Sequence, residues 1–268
     1  MTELEKIIIM LQKDMVEPKP WGWFHFLWIF FVIITVYYLY KIKNRHNEKQ
    51  LKYILGIYGI GALVLEILKQ IIWSFEFDGA TLSKVWDYQW YAFPFQLCST
   101  PIYVSILALF LKKGRLRDSL LSYMAFITIL GSIMTVIIPD SCFVEDILVN
   151  IHTMYLHCGS LVVSLYLVIS KEIKVEKQYL LKGYITFLGF VYVAELLNII
   201  MYKSRIIGDE TFNMFYISPY FNSELPVFST LQSNLPYLLY IITYLLAIGL
   251  GGIIVYYIFY LFKKRQKF

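Results

Sequence analysis

The chain has 268 residues, of which 59% are hydrophobic and only 16% charged, and its mean hydropathy is strongly positive. That composition excludes an ordinary soluble domain and points to a polytopic membrane protein. The net charge of +5 falls in short connecting loops, so it marks no nucleic-acid surface, and the three cysteines (Cys98, Cys142, Cys158) have neither metal nor redox spacing.

Residues 1–20 do not make a span. Leu4, Ile7, Ile8, Leu11 and Met15 recur at helical spacing with charges on the other face. This predicts an amphipathic interfacial helix within 1–20, ended by Pro18 and Pro20, ahead of a transmembrane domain over 21–268. The opening residues mix both charge signs and lack an apolar core before small residues, so no cleavable signal peptide is expected.

Seven later stretches reach the roughly 20 apolar residues a span needs: 23–42, 52–74, 95–112, 118–138, 148–170, 179–202 and 236–262. The connections between them alternate in charge. Lys41, Lys43, Arg45, Lys49 and Lys52, then Lys112, Lys113, Arg115 and Arg117, then Lys171, Lys174, Lys177 and Lys182, then the tail with Lys263, Lys264, Arg265 and Lys267, form the basic set. Glu76, Asp78, Asp87, Asp140, Glu145 and Asp146 fall in the opposite loops. The positive-inside rule then predicts an all-α, seven-transmembrane helix bundle of the cell membrane, with the N-terminus outside and the C-terminus cytoplasmic. Two outer loops are long. Residues 75–94 hold Trp86, Trp90 and Tyr91 as interfacial anchors, and 203–235 has the length of a lid or binding element.

With this topology each polar residue acquires a depth. Glu66 and Lys69 lie three apart on one face of the second span, and Gln96, Cys98, Ser99 and Thr100 open the third. Ser132 and Thr135 close the fourth, followed by Pro139 and Asp140; His152 and His157 come early in the fifth; Glu195 and Asn198 come late in the sixth; Tyr237 begins the seventh. All fall in the outer half, while the inner halves are almost wholly apolar. Polar groups in hydrocarbon are costly and usually face a cavity, so a shared polar cavity opening outward is expected.

A cysteine is a strong nucleophile once a nearby histidine takes its proton. Cys98 and His157 have comparable depth, and Asp140, Glu195 or Glu66 is available to orient the imidazole as the third member of a triad does. Gln96 is a candidate oxyanion donor. Taken singly, each residue also has a plain role. Cys98 can be a small packing residue, His157 a helix–helix hydrogen-bond partner, and Glu66 and Lys69 can neutralise each other. A Cys98–Cys142 disulfide would remove the nucleophile altogether.

Gln96-Leu97-Cys98-Ser99, Pro139-Asp140, His157 followed by Gly159, Asn198 with Met201-Tyr202, and Pro236-Tyr237 stand in an order that resembles the YwaF-type bacterial integral membrane proteins, which are related to the eukaryotic transmembrane protein 164 family. The resemblance covers roughly residues 50–245. It implies a seven-span helical protein and lipid acyltransferase activity, with Cys98 as nucleophile and His157 as its base. This chain departs from the family pattern just before the histidine, where it has Asn150-Ile151-His152.

An outward-facing site has no ready access to cytoplasmic acyl-CoA. The expected partners are therefore membrane phospholipids, as both acyl donor and acceptor, with no cofactor and no metal. The competing reading is a transporter or a lipid-binding or small-molecule-binding protein whose pathway is lined by Glu66, Lys69, Glu195 and His157. A through-going path also needs polar residues in the inner halves, and these are scarce. A retinal-type receptor is disfavoured, because the last span has no lysine before Lys263.

Overall fold

The computed structural model describes residues 3–78, 83–139 and 142–265. The chain is a helical bundle with one short antiparallel ribbon. Among the described residues, six helices are long and apolar enough to cross a membrane. They are α2 (Trp23–Ile42, continued by a turn to Arg45), α3 (Glu48–Ser74), the helix made of α5 (Arg115–Tyr123) and α6 (Ile129–Ile137) joined through a π segment at Met124–Thr128, α7 (Ile147–Ile169), α8 (Lys177–Ser204) and α10 (Tyr237–Arg265).

Local chemistry explains several of the ends. The Asn47 side chain accepts from Gln50 N–H and starts α3; Asp146 accepts from Leu148 and Val149 N–H and starts α7. The last turn of α8 closes on Arg205 in the left-handed region. In the π segment the Met124 carbonyl accepts from Ser164 Oγ at 2.9 Å and Thr128 Oγ1 at 3.3 Å. Irregular backbone of this kind is tolerated inside a bundle when neighbours satisfy it. At Gly183, α8 lies so close to α5 that an added Cβ would come within 2.7 Å of Ser122 O, so only glycine permits this approach.

The stretch expected to be the third span differs. Its helix, α4 (Thr100–Phe110), has 11 residues, about 16 Å at 1.5 Å each against a hydrocarbon core of ~30 Å. Residues 93–99 are irregular chain and turn, not helix: Pro94 lies within them, and Ser99 N–H donates to Gln96 O, which bends the backbone on itself. The chain still reaches the far end of the bundle. In the first turn of α5, Arg117 pairs with Glu48 at the start of α3 (2.6 and 3.1 Å) and with Glu172 between α7 and α8 (3.0 Å). His46 joins the same network through Glu172 (3.0 Å) and Tyr166 (2.8 Å). This end, which carries the basic loops, is called the basic end below.

The opposite end is covered. Helix α1 (Glu3–Leu11) does not lie apart from the bundle: it buries Ile8 and Glu5, and Gln12 after it donates to the carbonyls of Ile72 (2.5 Å) and Phe75 (2.7 Å) at the end of α3. The strap that follows runs beside Glu145–Ile147, with Met15 N donating to Glu145 O and Ile147 N to Lys13 O. The loop expected over 75–94 includes a two-stranded antiparallel ribbon, β1 (Phe75–Asp78) with β2 (Ser83–Trp86), pinned by an edge-to-face contact of Phe75 and Trp86 at 5.0 Å. The 203–235 loop is folded too. Phe212, Met214, Phe215, Ile217 and Ser218 are fully buried, and a short helix α9 (Phe228–Asn234) leads into α10.

Candidate functional site

The sequence places Glu66, Lys69 and Gln70 within four residues, hence on one face of α3. In the bundle that face meets His152 of α7. Lys69 Nζ lies 2.7 Å from Glu66 Oε1, and His152 Nε2 lies 2.8 Å from Glu66 Oε2 as an ion-pair contact rather than an aligned hydrogen bond. Gln70 Nε2 donates to Glu66 Oε1 (2.8 Å) and to Ala92 O (2.7 Å). All three charged or chargeable side chains are buried, Glu66 to 3% exposure. Two ions taken out of water need each other and further hydrogen bonds, which Gln70 supplies. One atom of this cluster is left over: His152 Nδ1 is buried without a partner.

Cys98 lies in the turn just before the N-cap residue of α4, half-buried and a free thiol, so the Cys98–Cys142 disulfide does not form. Lys69, Glu66 and Cys142 lie within electrostatic reach of it. So do the hydroxyls of Tyr58, Tyr123 and Tyr216. Tyr58 donates to Leu156 O at 3.2 Å, beside His157, and Tyr123 OH shares a 2.7 Å hydrogen bond with Thr100 Oγ1. Burial pushes the Tyr216 hydroxyl, on the loop, well above its ordinary range, so it remains a protonated donor. His157 is buried on α7 near His152. Cys98 and His157, both among the described residues, share no hydrogen bond in this geometry, and among the described residues no carboxylate bonds His157.

The remaining expected cavity residues gather elsewhere, around the folded loop. Gln96 Nε2 donates to Asn213 O (2.9 Å) and its Oε1 accepts from Phe215 N (2.8 Å). Asn198 Nδ2 donates to Met214 O (3.1 Å) and its Oδ1 accepts from Met214 N (2.7 Å). Tyr237 OH lies 2.5 Å from Glu195 Oε1 and 2.9 Å from Ile217 O, with one proton to donate between them, and Tyr240 OH donates to Tyr216 O (2.6 Å). These side chains satisfy irregular backbone inside the bundle, where each unpaired group would be costly. Within the clamped segment Phe215 and Tyr216 both have positive φ (58° and 59°), a strained conformation worth about 1–3 kcal/mol each for non-glycine residues.

Of the residues expected to share one cavity, Glu66, Lys69 and His152 thus gather near Cys98, and Gln96, Asn198, Glu195 and Tyr237 gather on the loop. Asp140 lies outside the described residues. Gln70, Tyr58, Tyr123 and Tyr216 were not singled out from sequence. Only Gln70 left a signal there, four residues after Glu66 on its face. Among the described residues, no group of three or more His, Cys, Asp or Glu side chains is gathered to hold a metal ion.

No match to the chain is found among curated proteins or among solved structures. A family model does match, over residues 20–261, which takes in every helix described above except α1 and nearly all of α10. By that match this integral membrane protein belongs to the TMEM164 family.

Proposed function

We propose that the chain is a lipid acyltransferase that moves a fatty acyl chain between phospholipids through Cys98, with His157 as its base. The observation that carries the reading is the free thiol of Cys98 at the start of α4, beside the buried Glu66–Lys69–His152 cluster. Lys69 and the N-terminus of α4 put positive potential beside the sulfur, and the proton itself has to be taken by the base. The thiolate attacks the ester carbonyl of the donor lipid. The C–O bond breaks, and the proton taken from Cys98 passes from the base to the departing lysolipid oxygen. An acceptor hydroxyl then attacks the thioester, gives its proton to the base, and the thiol is restored. This route requires a Cys98–His157 hydrogen bond that forms when substrate binds, as resting sites are often looser than reacting ones. No cofactor enters the scheme. Gln96, Asn198, Glu195 and Tyr237 are engaged with the loop, so the transporter reading gains no lining from them.

The topology of this proposal is seven crossings of the cell membrane, N-terminus outside and C-terminus cytoplasmic, in the manner of YwaF-type bacterial proteins. The third crossing consists of α4 and the turns before it. Support comes from the basic loops collected at one end and from Arg117 meeting Glu48 and Glu172 there.

The test is reconstitution of the full chain with a phospholipid carrying a labelled acyl chain and an unlabelled lysophospholipid. Label should pass to the acceptor, an acyl thioester on Cys98 should be visible by intact mass, and Cys98→Ser should lower transfer at least 100-fold with unchanged folding. Transfer that survives Cys98→Ser, or that uses acyl-CoA and not phospholipid, overturns the proposal.

A further inference from the structure

A lateral groove of about 690 Å³ lies between α2 and α3, floored by α7. It runs along α2 from Trp28 to Ile42, about 21 Å at 1.5 Å per residue, longer than half of a ~30 Å hydrocarbon core. Its two ends differ. Near Trp28 it is closed by aromatic rings: Tyr58 lies against Gly159, where an added Cβ would come within 2.6 Å of the ring, and stacks on Tyr155 at 6.3 Å. The hydroxyls of both tyrosines are used on backbone carbonyls, of Leu156 and Ile57, which leaves ring faces toward the groove. The other end, at the basic end of the molecule, holds its amide and ammonium groups: Asn47, Lys49 and Gln50.

That polar mouth is built for an anion. Gln50 Nε2 is buried there without a partner. Lys41, Lys43, Arg45, Lys49 and Lys52 cluster within the same short connection. The neighbouring acids are already paired with cations: Glu48 with Arg117, and Glu172 with Arg117 and Lys113. An apolar slot with a positive, donor-rich mouth at the water interface matches one acyl chain joined to a negatively charged headgroup.

We propose that this groove holds a resident anionic phospholipid, its acyl chain along α2 and its phosphate at Lys49 and Gln50. This lipid is not the reacting one. Its ester sits at the mouth, and Lys49 is separated from Glu66 by 17 residues of α3, about 25 Å, so it lies far from the Cys98 cluster. The site therefore stands or falls independently of the acyl-transfer reading.

The test is native mass spectrometry of the full chain, taken from nanodiscs of equal phosphatidylglycerol and phosphatidylcholine into mild detergent. One phospholipid per chain should be retained, with phosphatidylglycerol favoured about fivefold or more. Lys49→Glu, an exposed substitution, should erase the preference. Thr35→Trp, which fills the groove from the exposed face of α2, should lower retention of both lipids several-fold with thermal stability unchanged. Retention without headgroup preference, retention unaffected by both variants, or occupation by detergent or a second copy of the chain would each overturn the site.

Discussion

Two buried ion clusters hold this molecule, one at each end, and they are built differently. At the basic end, Arg117 (1% exposed) bridges Glu48 and Glu172 and draws in His46, Tyr166 and Lys113. It ties together the α2–α3, α4–α5 and α7–α8 connections, and Glu48 keeps one side in water. At the other end, Glu66, Lys69 and His152 join α3 to α7, and Gln70 links Glu66 to Ala92 O in the segment before α4. That cluster leaves His152 Nδ1 without a hydrogen-bond partner, as the first leaves Arg117 Nε, but it has a free thiol within its electrostatic reach. The first arrangement spends its charges on docking loops. The second lies where the acyl-transfer proposal puts its chemistry.

The comparison can be broken by substitution. The largest loss of stability should come from Arg117→Leu, which strands Glu172 (3% exposed) without its guanidinium. A cost of about 3–5 kcal/mol is expected, read as a large fall in Tm of the purified protein. An unchanged Tm would mean the basic-end network is not a lock. Glu66→Gln keeps the shape but leaves Lys69 without its carboxylate. It should cost less, about 1.5–3 kcal/mol, while lowering acyl transfer at least tenfold. If stability falls as far as in Arg117→Leu while transfer per folded molecule is unchanged, the two clusters play the same structural part.

Smaller effects sharpen the role of the loop. Asn198→Ala removes the side chain that bonds both Met214 N and Met214 O and should cost about 1–3 kcal/mol, with proteolysis appearing first between residues 205 and 227. Cleavage elsewhere would show that the loop does not depend on this clamp. Tyr237→Phe, on a half-exposed residue, should cost only about 0.5–1.5 kcal/mol and leave Cys98 alkylation rates unchanged. A marked rise in alkylation would tie the loop directly to access to the thiol.

The long helices, the alternation of basic loops and the pairing of Glu66 with Lys69 are written in local pattern. Hydrophobic length decides a span, and residues three apart in a helix must share a face. The order of Gln96, Cys98, His157, Asn198 and Tyr237 was enough to mark the family now matched over residues 20–261. Which polar residues meet was beyond such reasoning. Depth along a span places groups at one level but not around the bundle axis. Residues grouped as one cavity therefore divide into a charged cluster and a loop clamp only when α3, α7 and α8 pack. The folded 203–235 loop was hidden for the same reason: its backbone is satisfied by side chains from three other parts of the chain, Gln96, Asn198 and Tyr240. Local sequence determined what must be buried in lipid, because that depends on composition over one helix length. Tertiary structure decided what each buried polar group is for, because a hydrogen bond needs a partner, and here the partners are as much as 126 residues away.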